Sequence, residues 1–202
     1  MQLFHGNIVY SESRENLAVH RDSYIAVDEN GLIGGIYGQL PEKYAGVPVT
    51  DFGHDVLIPA FSDLHVHAPQ YPQRGLGMDL LLADWLNTYT FPQEAKYRDP
   101  VYARAVYDAF LNDLIANGTF HACVFGTIHR DATAYLLEEM EKRRLCAFVG
   151  KVGMDMQSPD YLCETVEESL RETEQFLADY SGNQFAKPIL TPRFAPTCHT
   201  GA

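Results

Sequence analysis

Two histidines, His65 and His67, stand two residues apart at the end of a largely apolar run that begins at Val56. Alternate side chains of a β-strand point to the same face, so both imidazoles would lie on one side of a strand that ends here. Neutral imidazole is a common zinc ligand, and two such rings at a strand end suit a single metal ion. Because a catalytic zinc usually has three protein ligands and an open position, the spacing predicts part of a metal site.

Two further polar groups, His129 and Arg193, follow other segments that the sequence predicts to be strands. Where strands run parallel, ligands bind beyond their carboxyl ends. We therefore expect both side chains to lie at the same end of a sheet as the histidine pair. No direct catalytic role is assigned to His129, since loop histidines are often plain surface groups.

Strands and helices alternate along the chain after the histidine pair. The predicted strands cover residues 119–128, 145–152 and 187–191, and the predicted helices cover residues 80–86, 100–117, 131–144 and 158–180. Asp99-Pro100 and Ser158-Pro159 are each expected to open a helix, because a capping side chain precedes a proline that fits the first turn. The alternation predicts parallel pairing with right-handed crossovers. It fits an open doubly wound sheet and a (β/α)8 barrel equally well.

The N-terminal residues contain short strand patterns separated by turns. Segments 23–27 and 32–37 flank Asn30-Gly31, a pair that favours the positive backbone dihedrals of a hairpin turn. We predict a small β domain over residues 1–57 and an α/β domain over residues 58–202.

Composition excludes several classes of partner. The chain of 202 residues has 15 basic and 27 acidic side chains, a formal net charge of −12, which argues against binding to a nucleic-acid backbone. No apolar run approaches the roughly 18 residues of a membrane span, so no membrane partner is expected. The four cysteines show no C-x-x-C pairing, and the first residues lack the pattern of a signal peptide. A reducing cytoplasm is the expected setting.

Several motifs together resemble the guanine deaminases, a family of metal-dependent amidohydrolases. They are His65–Tyr71, Asp79–Leu86, Tyr89–Pro92 and Thr191–Phe194, and the similarity extends from about Asp55 to Pro196. His-x-His alone would indicate only the superfamily. Its combination with Gln70, Tyr89–Pro92 and Thr191–Phe194 is much more specific.

The resemblance implies a fold and a set of roles. It selects the barrel, of which the chain would hold about the first four βα units, preceded by part of a small β-sandwich; a full barrel has eight strands and about 250 residues. His65 and His67 would hold one zinc ion per full-length subunit, Gln70 would hydrogen-bond the purine, Arg193 would donate to its carbonyl, and Phe194 would pack on its ring. A zinc-activated hydroxide would convert guanine to xanthine and ammonia. The resemblance also implies a homodimer.

The groups that carry the proton transfers are not expected within this chain. In the family, a third metal histidine with a nearby glutamate, a fourth histidine and an aspartate follow later strands, which would lie beyond Ala202. The chain alone is therefore expected to be inactive. A mononuclear site is expected because Arg193 stands near the mouth of the fourth strand, where two-metal relatives carry a modified lysine; Lys187 comes too early.

Two alternatives remain open. The protein could be another amidohydrolase-type aminohydrolase that acts on a different heterocycle. It could also be a non-catalytic half-barrel that binds a partner, although such a half-barrel would expose sheet edges and apolar surface.

Overall fold

The computed structural model describes residues 1–199, which form two compact units, one of Met1–Pro59 and one that begins at Ala60. Each unit has a sheet and a buried core of its own. The chain therefore folds as an all-β unit followed by an α/β unit with a parallel sheet.

The N-terminal unit is a mixed four-stranded sheet. Its strands are β1 (Gln2–Ser11), β2 (Leu17–Val27), β3 (Ile33–Tyr37) and β4 (Val49–Leu57), in the order β3-β2-β1-β4. The β1–β2 and β2–β3 pairs are antiparallel, and β4 runs parallel to β1. Leu3, Ala26 and Tyr44 form its buried core.

The predicted hairpin is confirmed as the antiparallel pair β2–β3. Its loop is longer than a two-residue turn, and of the Asn-Gly pair only Gly31 has a positive φ, 82°. The Asp28 carboxylate holds the loop by accepting hydrogen bonds from the backbone N–H groups of Asn30 and Leu32, at 2.8 and 2.9 Å. Side-chain capping by aspartate thus takes the place of a tight turn.

The apolar run that leads to the histidine pair is divided between two strands. Its first residues end β4, where Val56 and Leu57 pair with β1. The run resumes as β5 (Phe61–His67), which pairs with a strand of the second unit. The prediction of one continuous strand was wrong, and the break includes Pro59, which has no backbone N–H to donate to a sheet.

The second unit is built on parallel strands. They are β5, β6 (Thr119–Phe125), β7 (Cys146–Gly150) and β9 (Ala186–Pro188), with β8 (Val152–Gly153) and β10 (Thr191–Pro192) as a separate parallel pair. The four-stranded sheet has the order β5-β6-β7-β9, so strands that follow one another in the chain are neighbours. This confirms the predicted parallel pairing.

Helices connect these strands. They are α1 (Leu82–Trp85) and α2 (Phe91–Ala95), joined by a π-helical turn over Leu86–Thr90, then α3 (Pro100–Ala116), α4 (Arg130–Lys142) and α5 (Val166–Tyr180). The predicted cap of α3 is confirmed, since the Asp99 carboxylate accepts from the N–H of Val101 at 2.9 Å. Within residues 1–199, none of the helices combines the length and apolar character needed to cross a membrane.

The predicted start of the last helix, at Ser158-Pro159, is wrong. A short 3-10 turn over Asp160–Leu162 comes first, and α5 begins at Val166. Thr165 and Glu168 cap it reciprocally, each side chain accepting from the backbone N–H of the other. This Thr-x-x-Glu pair satisfies two free amide groups at once, whereas Ser158-Pro159 offers no such reciprocal bond.

The two faces of the parallel sheet differ in burial. Helices cover one face, where Ala122, Val124, Ala147 and Val149 belong to the same buried core as Leu111, Leu136, Leu137, Met140 and Phe176. On the other face Leu64 is 76% exposed and Phe148 is 50% exposed. Apolar side chains therefore line a sheet face that the described residues leave uncovered.

Candidate metal and ligand site

The histidine pair lies at the carboxyl end of β5, as predicted. The ring centroids of His65 and His67 are 5.2 Å apart, so strand alternation does place both rings on one side. Phe125, at the end of β6, supports both rings, with centroids 5.2 Å from His65 and 4.5 Å from His67. Neighbouring parallel strands thus fix the spacing of the two imidazoles.

The environment of His67 suits a metal ligand. Burial, together with the positive charge of Arg193 and the neighbouring His65, lowers the pKa of His67 to about 4. The ring is therefore neutral at pH 7, which is the form that binds metal. Its Nδ1 atom is buried and has no hydrogen-bond partner among residues 1–199. An orphaned nitrogen of this kind is costly in a fold unless another group occupies it.

The described residues supply only part of a metal site. Across residues 1–199, His, Cys, Asp and Glu side chains nowhere gather in a group of three that could hold an ion. The pair fits a metal as two of its ligands, and a complete set requires further residues.

Gln70 and Arg193 meet at one carboxylate. Gln70 lies in a 3-10 turn over Ala68–Gln73 that follows β5, and Arg193 follows β10. Arg193 Nη1 donates to both oxygens of Glu94, at 2.7 and 2.5 Å, and Gln70 Nε2 donates to Glu94 Oε1 at 3.2 Å. The Arg193 side chain is only 5% exposed and that of Glu94 only 2%. Two groups that are distant in sequence are thereby held in one buried network.

Glu94 is a site residue that the sequence did not predict, although the residues around it give an indication of its burial. It lies in α2 with Phe91 three residues before it and Tyr97 three residues after it, and all three side chains are buried. A carboxylate on the apolar face of a helix is rarely buried unless it is paired. The spacing Phe-x-x-Glu-x-x-Tyr therefore indicated a buried partner, without indicating which one.

Phe194 and His129 lie outside the hydrogen-bond network around Glu94. Phe194 follows Arg193 in extended backbone, and 44% of its surface is exposed. His129 immediately precedes α4 and lines a polar cavity of about 800 Å³, which differs from the cavity beside the histidine pair. Its Nε2 atom is buried without a hydrogen-bond partner among residues 1–199, as is Nδ1 of His67, but the separate cavity places His129 outside the candidate site.

A cavity of about 440 Å³ opens beside the histidine pair. His65, His67, Gln70 and Trp85 are among its lining residues. Trp85 is fixed there because its Nε1–H donates to the carbonyl oxygen of Leu76 at 2.9 Å. Such a volume suits a small heterocycle, since ligand pockets typically measure about 300–1,000 Å³.

Comparison with known proteins gives a consistent set of relatives. The profile of the amidohydrolase family matches residues 56–201. The guanine deaminase of Dictyostelium discoideum is 38% identical over 216 residues, covering 98% of this chain and 48% of the relative. The guanine deaminase of Rattus norvegicus is 38% identical over 208 residues, covering 97% of this chain and 46% of the relative.

A solved structure agrees with these sequences. The crystal structure of guanine deaminase from C. acetobutylicum, with guanine bound in its active site, superposes with a TM-score of 0.95 at 42% identity. The match covers 98% of this chain and 47% of that one. The chain therefore spans about half the length of the relatives it matches.

Proposed function

The chain belongs to the amidohydrolase family, and we propose that the whole protein hydrolyses guanine to xanthine and ammonia. The observation that carries this proposal is the placement of Gln70. It lines the same cavity as His65 and His67, while Glu94 joins it to Arg193. These contacts support the proposal that groups able to bind a metal and groups able to bind a base act together.

The polar groups suit a purine that carries a carbonyl. Arg193 uses Nη1 to bind Glu94, so its remaining N–H groups are available to a carbonyl oxygen. Gln70 gives its N–H to Glu94, so its amide oxygen is left to accept a hydrogen bond from the ring, and the exposed ring of Phe194 is free to pack on it. A site built to donate to a carbonyl rejects a base that lacks one. Adenine should therefore be a poor substrate.

The metal in this proposal is one zinc ion per subunit. His65 and His67 would be two of its ligands, and residues outside the described ones would complete the set. Zinc, when bound, polarises water for hydrolysis. The chain's own residues hold the heterocycle: Arg193 and Gln70 orient it, and Phe125 keeps the two imidazoles in place. A single-metal site is proposed because Arg193, rather than a lysine, follows β10, and Lys187 lies earlier, in β9.

The architecture proposed for the whole protein is a closed (β/α)8 barrel with a flanking β-sandwich. Four successive strands pair with their neighbours in chain order, without the reversal that marks a doubly wound sheet. The uncovered apolar face with Leu64 and Phe148 suits the interior of a barrel. The proposal also includes a small β domain over residues 1–57 and a barrel domain over residues 58–202. It further includes a homodimer and a cytoplasmic location.

The test is a paired measurement on the purified whole protein. Bound zinc per subunit is measured, and the absorbance change from guanine to xanthine is followed, with adenine as the comparison substrate. One zinc per subunit and xanthine release would support the proposal. Activity on another heterocycle only would replace guanine in it. Stoichiometric binding without turnover of any heterocycle would favour the non-catalytic module.

A further inference from the structure

Glu94 is buried at the meeting point of three segments of the second unit. Its side chain is 2% exposed, and its two partners come from the turn after β5 and from the residues after β10. A buried ion pair adds little net stability when compared with apolar side chains of the same volume. Stability alone therefore gives no reason for a carboxylate at this position, whereas the orientation of its two partners does.

The carboxylate determines which end of the Gln70 amide faces it. An ionised carboxylate only accepts hydrogen bonds, so it can face the Gln70 NH₂ group but not the amide oxygen. Gln70 Nε2 accordingly donates to Glu94 Oε1. The Gln70 amide oxygen is left as an acceptor for another group, and a flipped amide would set two acceptors against each other.

The same carboxylate also determines which N–H groups of Arg193 remain available to a ligand. Both oxygens of Glu94 accept from Nη1, which leaves the other guanidinium N–H groups as donors. The Gln70–Glu94–Arg193 network therefore offers a ligand one amide acceptor and one set of guanidinium donors. A base that has a ring N–H and a carbonyl complements that pair.

On the premise that guanine is the substrate, as proposed above, we propose that Glu94 is a positioning residue that determines base specificity. By holding the Gln70 amide in one orientation and Arg193 in one place, it makes the site accept a ring N–H and donate to a carbonyl. Glu94 itself need not touch the base. Its effect should therefore appear in the choice of ligand rather than in the chemical step.

The experiment compares Glu94→Gln with the wild type in the zinc-loaded whole protein. The ligands are guanine and 2,6-diaminopurine, which carries an amino donor in place of the carbonyl and an unprotonated ring nitrogen beside it. The substituted amide can face either end of the Gln70 amide. We expect the KM for guanine to rise about 10- to 100-fold, as for loss of hydrogen bonds to a charged group, with a smaller change in kcat. The inhibition constant of 2,6-diaminopurine should rise far less, so the preference for guanine should fall by nearly the factor by which the KM rises.

Two further variants separate orientation from folding. Glu94→Asp keeps the charge with a shorter reach and should recover part of the guanine preference. The double variant Gln70→Glu/Glu94→Gln exchanges the two side chains and keeps one carboxylate in the pair. The carboxylate now at position 70 still presents an acceptor to the ligand, so this protein should prefer guanine even if the single variant Glu94→Gln folds poorly. Glu174→Gln, on the exposed face of α5, is the charge-matched control and should leave both ligands unaffected.

Each outcome decides a different claim. A folded, zinc-loaded Glu94→Gln protein with an unchanged ratio between the two ligands would overturn the inference, as would an exchanged pair that no longer prefers guanine. Parallel weakening of both ligands would reduce Glu94 to a structural residue. Failure of the wild type to deaminate guanine would reject the proposed function itself, and the inference with it.

Discussion

The two halves of the candidate site differ in how completely their polar groups are satisfied. Both carboxylate oxygens of Glu94 are saturated, since Arg193 donates to each of them and Gln70 donates to one inside the protein. The histidine pair is not saturated, because Nδ1 of His67 is buried without a partner among residues 1–199. The half proposed to bind the base is therefore preorganised by the described residues alone, whereas the half proposed to bind metal would depend on an ion and on further ligands. Changes to the two halves should have different consequences.

The largest loss of zinc and of activity should follow a substitution in the histidine pair. His67→Ala in the whole protein should remove most of the bound zinc and lower guanine conversion by more than about 1,000-fold, since a metal ion supplies several kcal/mol to such reactions. The variant should still fold, because no hydrogen bond through Nδ1 is lost, although the stacking of the ring on Phe125 is removed. Zinc content and turnover are measured together, with the exposed His54→Ala as control. Full zinc content in the His67→Ala protein would show that this ring is not a ligand.

Substitutions in the Gln70–Glu94–Arg193 network should mainly lower the free energy of unfolding. Arg193→Met leaves the Glu94 carboxylate buried without its cation and should destabilise the fold by about 3–5 kcal/mol. Adding Glu94→Leu should restore most of that stability while guanine conversion stays lost, because an apolar pair can replace a buried ion pair in packing only. Urea unfolding of the whole protein gives the free energies. If the double variant were as unstable as the single one, the pair would matter for more than charge balance.

A second buried ion pair tests whether the effect proposed for Glu94 on the choice of ligand is particular to that residue. Lys151, whose side chain is fully buried, donates to both oxygens of Glu164 at 2.7 and 2.8 Å. Burial raises the pKa of the Glu164 carboxyl even beside this lysine, so protonation can relieve part of its cost when the lysine is removed. Lys151→Met should therefore destabilise the fold by less than the roughly 3–5 kcal/mol expected for Arg193→Met.

The ligand preference should separate the two pairs. In the Lys151→Met protein, the ratio of guanine binding to 2,6-diaminopurine binding should equal that of the wild type. Steady-state assays at a temperature where the variant is fully folded provide the measurement. A changed ratio there would mean that any buried charge alters specificity, and the contrast with Glu94 would disappear.

The smallest loss of stability should follow the substitution of a carboxylate that accepts hydrogen bonds from backbone N–H groups. Glu141, in α4, accepts from the N–H groups of Gln184, Phe185 and Ala186 at 3.0, 2.8 and 2.7 Å, and so ties down the entry to β9. Although burial opposes it, these three bonds lower the pKa of Glu141. Glu141→Gln should cost about 1–2 kcal/mol at pH 7, because a neutral amide accepts fewer and weaker bonds.

The pH dependence of that effect follows from the sign of the shift. A lowered folded-state pKa means that the stabilisation is fully present above the ordinary carboxyl pKa and disappears as the pH falls through the folded-state value. The difference in stability between wild type and Glu141→Gln should therefore shrink when urea unfolding is repeated at decreasing pH below about 4.5. A difference that does not depend on pH would mean that the charge of Glu141 is irrelevant.

Features that depend on local spacing were predictable from the sequence. The histidine pair projects to one side because strands alternate with a period of two, and the parallel sheet follows from the alternation of strands and helices. Asp99 caps α3 because the bond it makes reaches only two residues ahead. The start of α5 was mispredicted because two plausible capping sites lie seven residues apart, and the reciprocal bond of Thr165 and Glu168 decides between them.

The binding network could not be predicted in the same way. Glu94 lies 24 residues from Gln70 and 99 residues from Arg193, so no local pattern connects them. Their meeting depends on the order of the parallel strands, which brings the turn after β5, helix α2 and the residues after β10 together. The sequence by itself determined which residue types stand at the ends of which elements, since the elements follow from residue type and short-range periodicity. The tertiary structure alone decided which carboxylate orients the amide and the guanidinium, because a buried charge takes whatever partner the packing of distant segments places beside it.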